Sequence, residues 1–168
     1  VGQQIMLAMS PVEGQTVIAE GLKEPLILDG TGHFYTLTSQ MVTLRGNLTF
    51  LKCKGNLSRP PVPYRNYLTS LDVSRCNTLT KLDCSENSLQ SLDVSGCNAL
   101  TVLDCSENSL QSLDVSGCNT LSELYCYYNS LQSLHVSSCN ALTVLYCSGN
   151  SLQSLDITHN EALTKLSC

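Results

Sequence analysis

From Leu79 onward, apolar residues return at a fixed spacing. LTKLDCSENSLQSLDVSGCNA runs from Leu79 to Ala99, and LTVLDCSENSLQSLDVSGCNT from Leu100 to Thr120. LSELYCYYNSLQSLHVSSCNA and LTVLYCSGNSLQSLDITHNEA continue to Ala162, and LTKLSC closes at Cys168. The period is 21 residues without insertion, the mark of a stacked repeat array in which each unit buries its apolar side chains against its neighbours. Each unit opens L-x-x-L-x-C-x-x-N-x-L. The alternating L-x-C segment predicts a short strand with every second side chain inward. The recurring Asn87, Asn108, Asn129 and Asn150 follow that strand and turn the chain out of it. Their amides are placed to satisfy backbone groups of the coils above and below. The second half, L-x-x-L-D-V-S-x-C, is too short for a proper helix, which predicts extended chain or a second short strand on the convex side. Coils then stack at the strand spacing of about 4.8 Å.

An imperfect unit comes first. LTFLKCKGN (Leu48 to Asn56) matches the opening and LTSLDVSRC (Leu68 to Cys76) the second half. Cys53 and Cys84 lie 31 positions apart, so this unit carries a ten-residue insertion near residues 58–67, SRPPVPYRNY. Three prolines stiffen it, and it leaves just after the strand, at the rim of the array. Before it, QQIMLAM, TVIAE, PLIL, FYTLT and MVTLR are short β-branched and aromatic runs separated by Gly, Pro and Asp. They predict strands joined by turns. The expected organisation is a β-rich cap over residues 1–46, protecting the open end of the core, followed by the array over residues 47–168, which ends mid-coil. The fold class is mainly β.

Charge changes this picture at one point. The 168 residues are 14% charged, with net charge −5. Residues 1–70 carry +2 and residues 71–168 carry −7, so the composition shifts where the regular repeats begin. A net negative array argues against nucleic acid, which calls for clustered Lys and Arg. No run of 18 apolar residues predicts a transmembrane helix. The apolar stretch near Gln4–Met9 is too short for a signal peptide, and the start at Val1 suggests a mature or trimmed form.

The ten cysteines fall into two interleaved ladders. Cys53, Cys84, Cys105, Cys126, Cys147 and Cys168 occupy the strand column; Cys76, Cys97, Cys118 and Cys139 occupy the second-half column, where Asn160 follows them. Buried free thiols, acting as small hydrophobes, are the favoured reading. Inter-coil disulfides and a metal site are the competing ones. Parallel stacked side chains strain a disulfide torsion, and no C-x-x-C pair offers tetrahedral zinc geometry.

No cofactor is expected and no catalytic residue is assigned. Asp72, Asp93, Asp114 and Asp156, with His135 in the same position, form a column whose Asp and Ser residues suit turn bonding rather than acid–base work. No nucleophile motif, phosphate loop or calcium loop is present in the sequence. The informative positions are those that vary. The outward columns on the concave side read Lys81, Asp83, Ser85, Glu86; then Val102, Asp104, Ser106, Glu107; then Glu123, Tyr125, Tyr127, Tyr128; then Val144, Tyr146, Ser148, Gly149. Tyr125, Tyr127, Tyr128 and Tyr146 are candidate ligand contacts, because tyrosine supplies broad amphipathic area at interfaces. Stacking with neighbouring coils is the alternative role. Tyr64 and Tyr67 in the insertion form a second candidate contact.

The opening L-x-x-L-x-C-x-x-N-x-L resembles the leucine-rich-repeat signature, with Cys in a column that is usually Leu. The full 21-residue unit resembles the cysteine-containing repeats of the internalin family, of the internalin J type, and internalin-like surface proteins of Bacteroidetes. The resemblance covers residues 48–168, and Tyr35 to Cys53 resembles the lead into such arrays. It implies a leucine-rich-repeat solenoid and an extracellular or bacterial cell-surface protein, used in adhesion, virulence or host contact. The implied partner is a host or bacterial surface protein or glycan. Two departures stand out: the second column is Cys four times where that family usually has Asn, and no anchor or sorting segment is present in the sequence. A homodimer through the uncapped last coil is a further expectation. A spacer or assembly element with no specific ligand is the alternative function.

Overall fold

A computed structural model of the chain describes residues 4–11, 17–25, 33–36, 39, 41–53 and 68–168. The apolar runs near the start form β1 (Gln4–Pro11), β2 (Val17–Glu20), β3 (His33–Thr36) and β4 (Met41–Gly46). Residues 26–28, predicted as extended, and the insertion at 58–67 lie outside the described residues. The repeat openings form β5 (Leu48–Lys52), β7 (Lys81–Asp83), β9 (Val102–Asp104), β10 (Glu123–Tyr125), β11 (Val144–Tyr146) and β12 (Lys165–Ser167). Second halves form β6 (Ser70–Arg75) and β8 (Ser91–Asp93), and Asp114 bridges His135 further along the same side. Among the described residues the fold is built of strands and turns, as a mainly β leucine-rich-repeat solenoid.

Two sheets face each other across the core. One runs β12-β11-β10-β9-β7-β5-β1-β3 and the other β2-β4-β6-β8. Within the array the pairing is parallel and in register, Lys81 with Val102, Val102 with Glu123 and Glu123 with Val144. The 21-residue period is therefore the register itself. At the N-terminal end β1 pairs antiparallel with β5 and covers its outer edge, the device by which sheet proteins block edge pairing. β4 already stacks in parallel on β6, so the second-half ladder starts at Met41.

The coil at Leu100 shows why the pattern folds this way. Leu100, Leu103, Cys105, Leu110, Leu113, Val115 and Cys118 all point inward and are buried. One coil cannot cover these side chains alone; those above and below exclude the water. Two tight turns then return the chain to the first sheet, with Cys118 N–H donating to Val115 O at 2.9 Å and Leu121 N–H to Cys118 O at 3.0 Å. The same pair of turns recurs at Cys76, Cys97, Cys139 and Asn160.

Polar ladders lock the stack. Asn108 Nδ2 donates to the Cys84, Cys105 and Ser106 carbonyls, and its Oδ1 accepts from Leu89 N–H at 2.9 Å. Asn129 repeats the arrangement one coil on, as the sequence predicts. A hydroxyl ladder was not anticipated. Thr80, Thr101, Ser122, Thr143 and Thr164 each donate to the carbonyl of the same column in the preceding coil.

The cysteines are free thiols, nine of them buried and Cys168 exposed. Burial pushes their ionisation up: Cys76, Cys118 and Cys147 to about 11, Cys97 and Cys126 to about 12, and Cys53, Cys84 and Cys105 well above the ordinary thiol value. In the second ladder the thiols also donate weakly. Cys97 Sγ faces Val73 O at 3.3 Å, and Cys118 and Cys139 face Val94 O and Val115 O. Asn160 Nδ2 donates to the equivalent Val136 O at 3.0 Å. The column asks for a compact donor, which explains how Cys and Asn share it.

Candidate functional site

The tyrosines sit on the outward face of the larger sheet, where the repeat scaffold is constant and these columns change. In β10, Leu124 is fully buried while Glu123 and Tyr125 on either side are partly exposed, the alternation a strand imposes. In β11 both Val144 and Leu145 are buried, and Tyr146, partly exposed, stands opposite Tyr125 in the register. The two rings meet edge to face with centroids 5.4 Å apart. Tyr125 Oη donates to Glu123 Oε2 at 2.8 Å. That hydrogen bond, then burial and the Glu123 charge, push the phenol to about 12.

Tyr127 and Tyr128 lie beyond the strand, in the turn before Asn129. Their rings also meet edge to face, at 5.6 Å. The four tyrosines are therefore two pairs, one on the sheet and one at its rim. Tyr128 is 64% exposed and has φ of 51°. Glu86, Glu107 and Gly149 hold the same left-handed position in their coils, at 56°, 54° and 67°. Such a backbone costs a non-glycine residue roughly 1–2 kcal/mol. Gly149 has a second reason to be glycine, since a Cβ there would collide with the Tyr128 ring. The signal for this column was Gly149 itself, one place before the repeat asparagine.

Two outward assignments are corrected. Ser85 and Ser106 are buried, each 1% exposed, not outward strand residues. The strand proper ends at Asp83 and Asp104, and the chain then turns inward. Ser85 donates from both its N–H and its hydroxyl to Asp83 Oδ1, and Ser106 does the same to Asp104. In this turn a short polar side chain folds back on its own backbone. Tyr64 and Tyr67 lie outside the described residues.

The second-half Asp column has the turn-bonding role expected of it. Asp72 accepts from Ser74, Asp93 from Ser95 and Asp156 from Thr158, through backbone N–H and hydroxyl alike. The Ser116 bonds hold the Asp114 carboxyl below its usual range, with a smaller contribution from His135. Among the described residues no three His, Cys, Asp or Glu side chains gather as a metal site.

No protein-family model and no curated protein matches the chain. Solved structures do. The functional domain of InlJ from Listeria monocytogenes, which includes a cysteine ladder, is 34% identical over 70% of this chain, with a TM-score of 0.58. This chain covers 29% of that one. The internalin InlF from Listeria monocytogenes matches 58% of this chain and 34% of its own at 17% identity and a TM-score of 0.52, a likeness of fold. The period, the in-register parallel sheet, the asparagine ladder and the stacked thiols all agree with this likeness: the chain has the internalin-like leucine-rich-repeat fold, with a cysteine ladder in its core.

Proposed function

We propose that this chain is the non-enzymatic binding module of an extracellular or cell-surface adhesin of the virulence type. Its partner is a protein or glycan on a host or bacterial surface. The outward face of β9, β10 and β11, with the adjoining rim turn, makes the contact. One observation carries the reading. On a scaffold whose inward columns hardly vary, the outward columns turn to tyrosine in two neighbouring coils, and Tyr128 stays 64% exposed on a costly backbone. A large aromatic ring left in water is better explained by a partner that covers it than by stability. The InlJ likeness supports a binding role. In this reading the cap spans residues 1–46 and the array 47–168, with Tyr64 and Tyr67 in the insertion adding a second contact.

The test is an array of host and bacterial surface proteins and glycans, screened with the wild-type chain and with Tyr125, Tyr127 and Tyr128 changed to alanine. Binding that is lost in the variant, while circular dichroism stays unchanged, supports the assignment. A ligand bound equally by both forms removes the tyrosine face. A spacer role is the second reading, favoured by the coils of β7 and β9, which repeat the same Asp and Glu, Asp83 and Glu86 in one and Asp104 and Glu107 in the next. A chain that binds nothing on the array fits the spacer.

A further inference from the structure

The tyrosine pairs are bordered by carboxylates. Asp104 precedes Tyr125 in its column, and Glu107 precedes Tyr128 in the rim column. Asp83 and Glu86 stand one coil further back. Glu123 is on the same strand as Tyr125 and holds its hydroxyl at 2.8 Å. Among the described residues, the array strands of this face carry Lys52, Lys81 and Lys165. Lys52 is committed to Asp83 at 3.8 Å, Lys81 is two coils before β10, and Lys165, on the strand next to β11, stands opposite Val144 while Ser167 stands opposite Tyr146. The ring faces and the carboxylates around them thus share one electrostatic sign. An aromatic face carries negative quadrupole density, and a guanidinium or ammonium over it gains from both. An anionic or strongly acidic partner meets repulsion here, and a neutral sugar gains nothing from the negative charge of the carboxylates.

We infer that the ligand of this face is a cationic protein segment, whose Arg or Lys side chains lie over Tyr125 and Tyr146 and pair with Glu123, Asp104 and Glu107. The inference rests on the binding role proposed above and narrows it to one chemical class. Arginine fits best, because its planar head stacks on a ring and bonds a carboxylate at once.

The probe is a synthetic peptide of three arginines spaced by Gly-Ser, measured by fluorescence anisotropy. The comparison is the same peptide with citrulline, which keeps the shape and removes the charge. The arginine peptide binds at least tenfold more tightly than the citrulline peptide. Tyr125→Ala with Tyr146→Ala weakens it at least tenfold. Glu123→Gln, which keeps an acceptor for the Tyr125 hydroxyl and removes only the charge, weakens it severalfold. Asp156→Asn, on the opposite side of the array, leaves it unchanged. Equal affinity for the two peptides, no binding of either, or an equal loss with Asp156→Asn overturns the inference. If the surface array instead yields a neutral glycan or an acidic protein that the tyrosine variants release, the cationic assignment falls and the binding role stands.

Discussion

Raising the pH from 8 to 10 tests the buried thiol ladders directly. In the unfolded chain each thiol ionises near its ordinary value of 9.0. In the folded chain burial holds Cys76, Cys118 and Cys147 at about 11 and Cys97 and Cys126 at about 12, and raises Cys53, Cys84 and Cys105 as well. Their folded values are raised, so the stability they contribute is complete below pH 9 and is lost as the pH climbs toward the folded values. Between pH 8 and 10 each thiol that ionises only when unfolded removes about 1.4 kcal/mol. The five thiols held at about 11 or 12 alone remove about 7 kcal/mol, comparable with the whole stability of an ordinary domain, about 5–15 kcal/mol. The chain should therefore unfold cooperatively between about pH 9 and pH 11 at 25 °C. The assay is urea denaturation followed by circular dichroism at half-unit pH steps, in a reductant that keeps every thiol free. The urea midpoint should hold steady to about pH 8.5 and then fall steeply. Cys118→Asn removes one titrating thiol and substitutes the donor that Asn160 already shows to fit the column, so its loss over this interval should be smaller by about 1.4 kcal/mol. A midpoint that stays flat to pH 10 would mean that the thiols are not buried as described.

Other perturbations separate the remaining features. Asn108→Ala breaks three donated bonds and one accepted bond and should cost about 3 kcal/mol or more in urea denaturation. Asn87→Ala should cost about 1 kcal/mol less than Asn108→Ala, because among the described residues the Asn87 Oδ1 has no hydrogen-bond partner to lose. Gly96→Ala puts a methyl group onto the Ser74 carbonyl of the preceding coil and should destabilise the chain by about 1–3 kcal/mol, read as a lowered melting temperature. Gly149→Ala adds a left-handed penalty of about 1 kcal/mol and displaces the Tyr128 ring, so affinity for the true partner should fall even where the chain remains folded.

Most of the scaffold was legible because its rules are periodic. Leu103, Cys105, Leu110 and Val115 follow from spacing alone, and every one is buried. Asn108 was readable as a ladder residue because a polar amide repeated beside an apolar strand has only the backbone to satisfy. The candidate site was legible in part. Tyr125 and Tyr146 were expected on one face, and their register brings the rings together. Ser85 and Ser106 were misplaced because strand alternation was extended past the strand's end, where the Asp–Ser turn takes over.

The 21-residue period by itself determined the parallel register, the inward columns and the free state expected of the cysteines, since each follows from which residues recur at equal intervals along the chain. Tertiary structure alone decided what depends on contacts across coils. It placed β4 under β6, made the second-half thiols donors to carbonyls of the preceding coil, and split the four tyrosines into a sheet pair and a rim pair. It also set Tyr128 against Gly149 on a left-handed backbone. The reason is the same in each case: a column tells which residues are stacked, but the turn leaving the strand decides which way each side chain points.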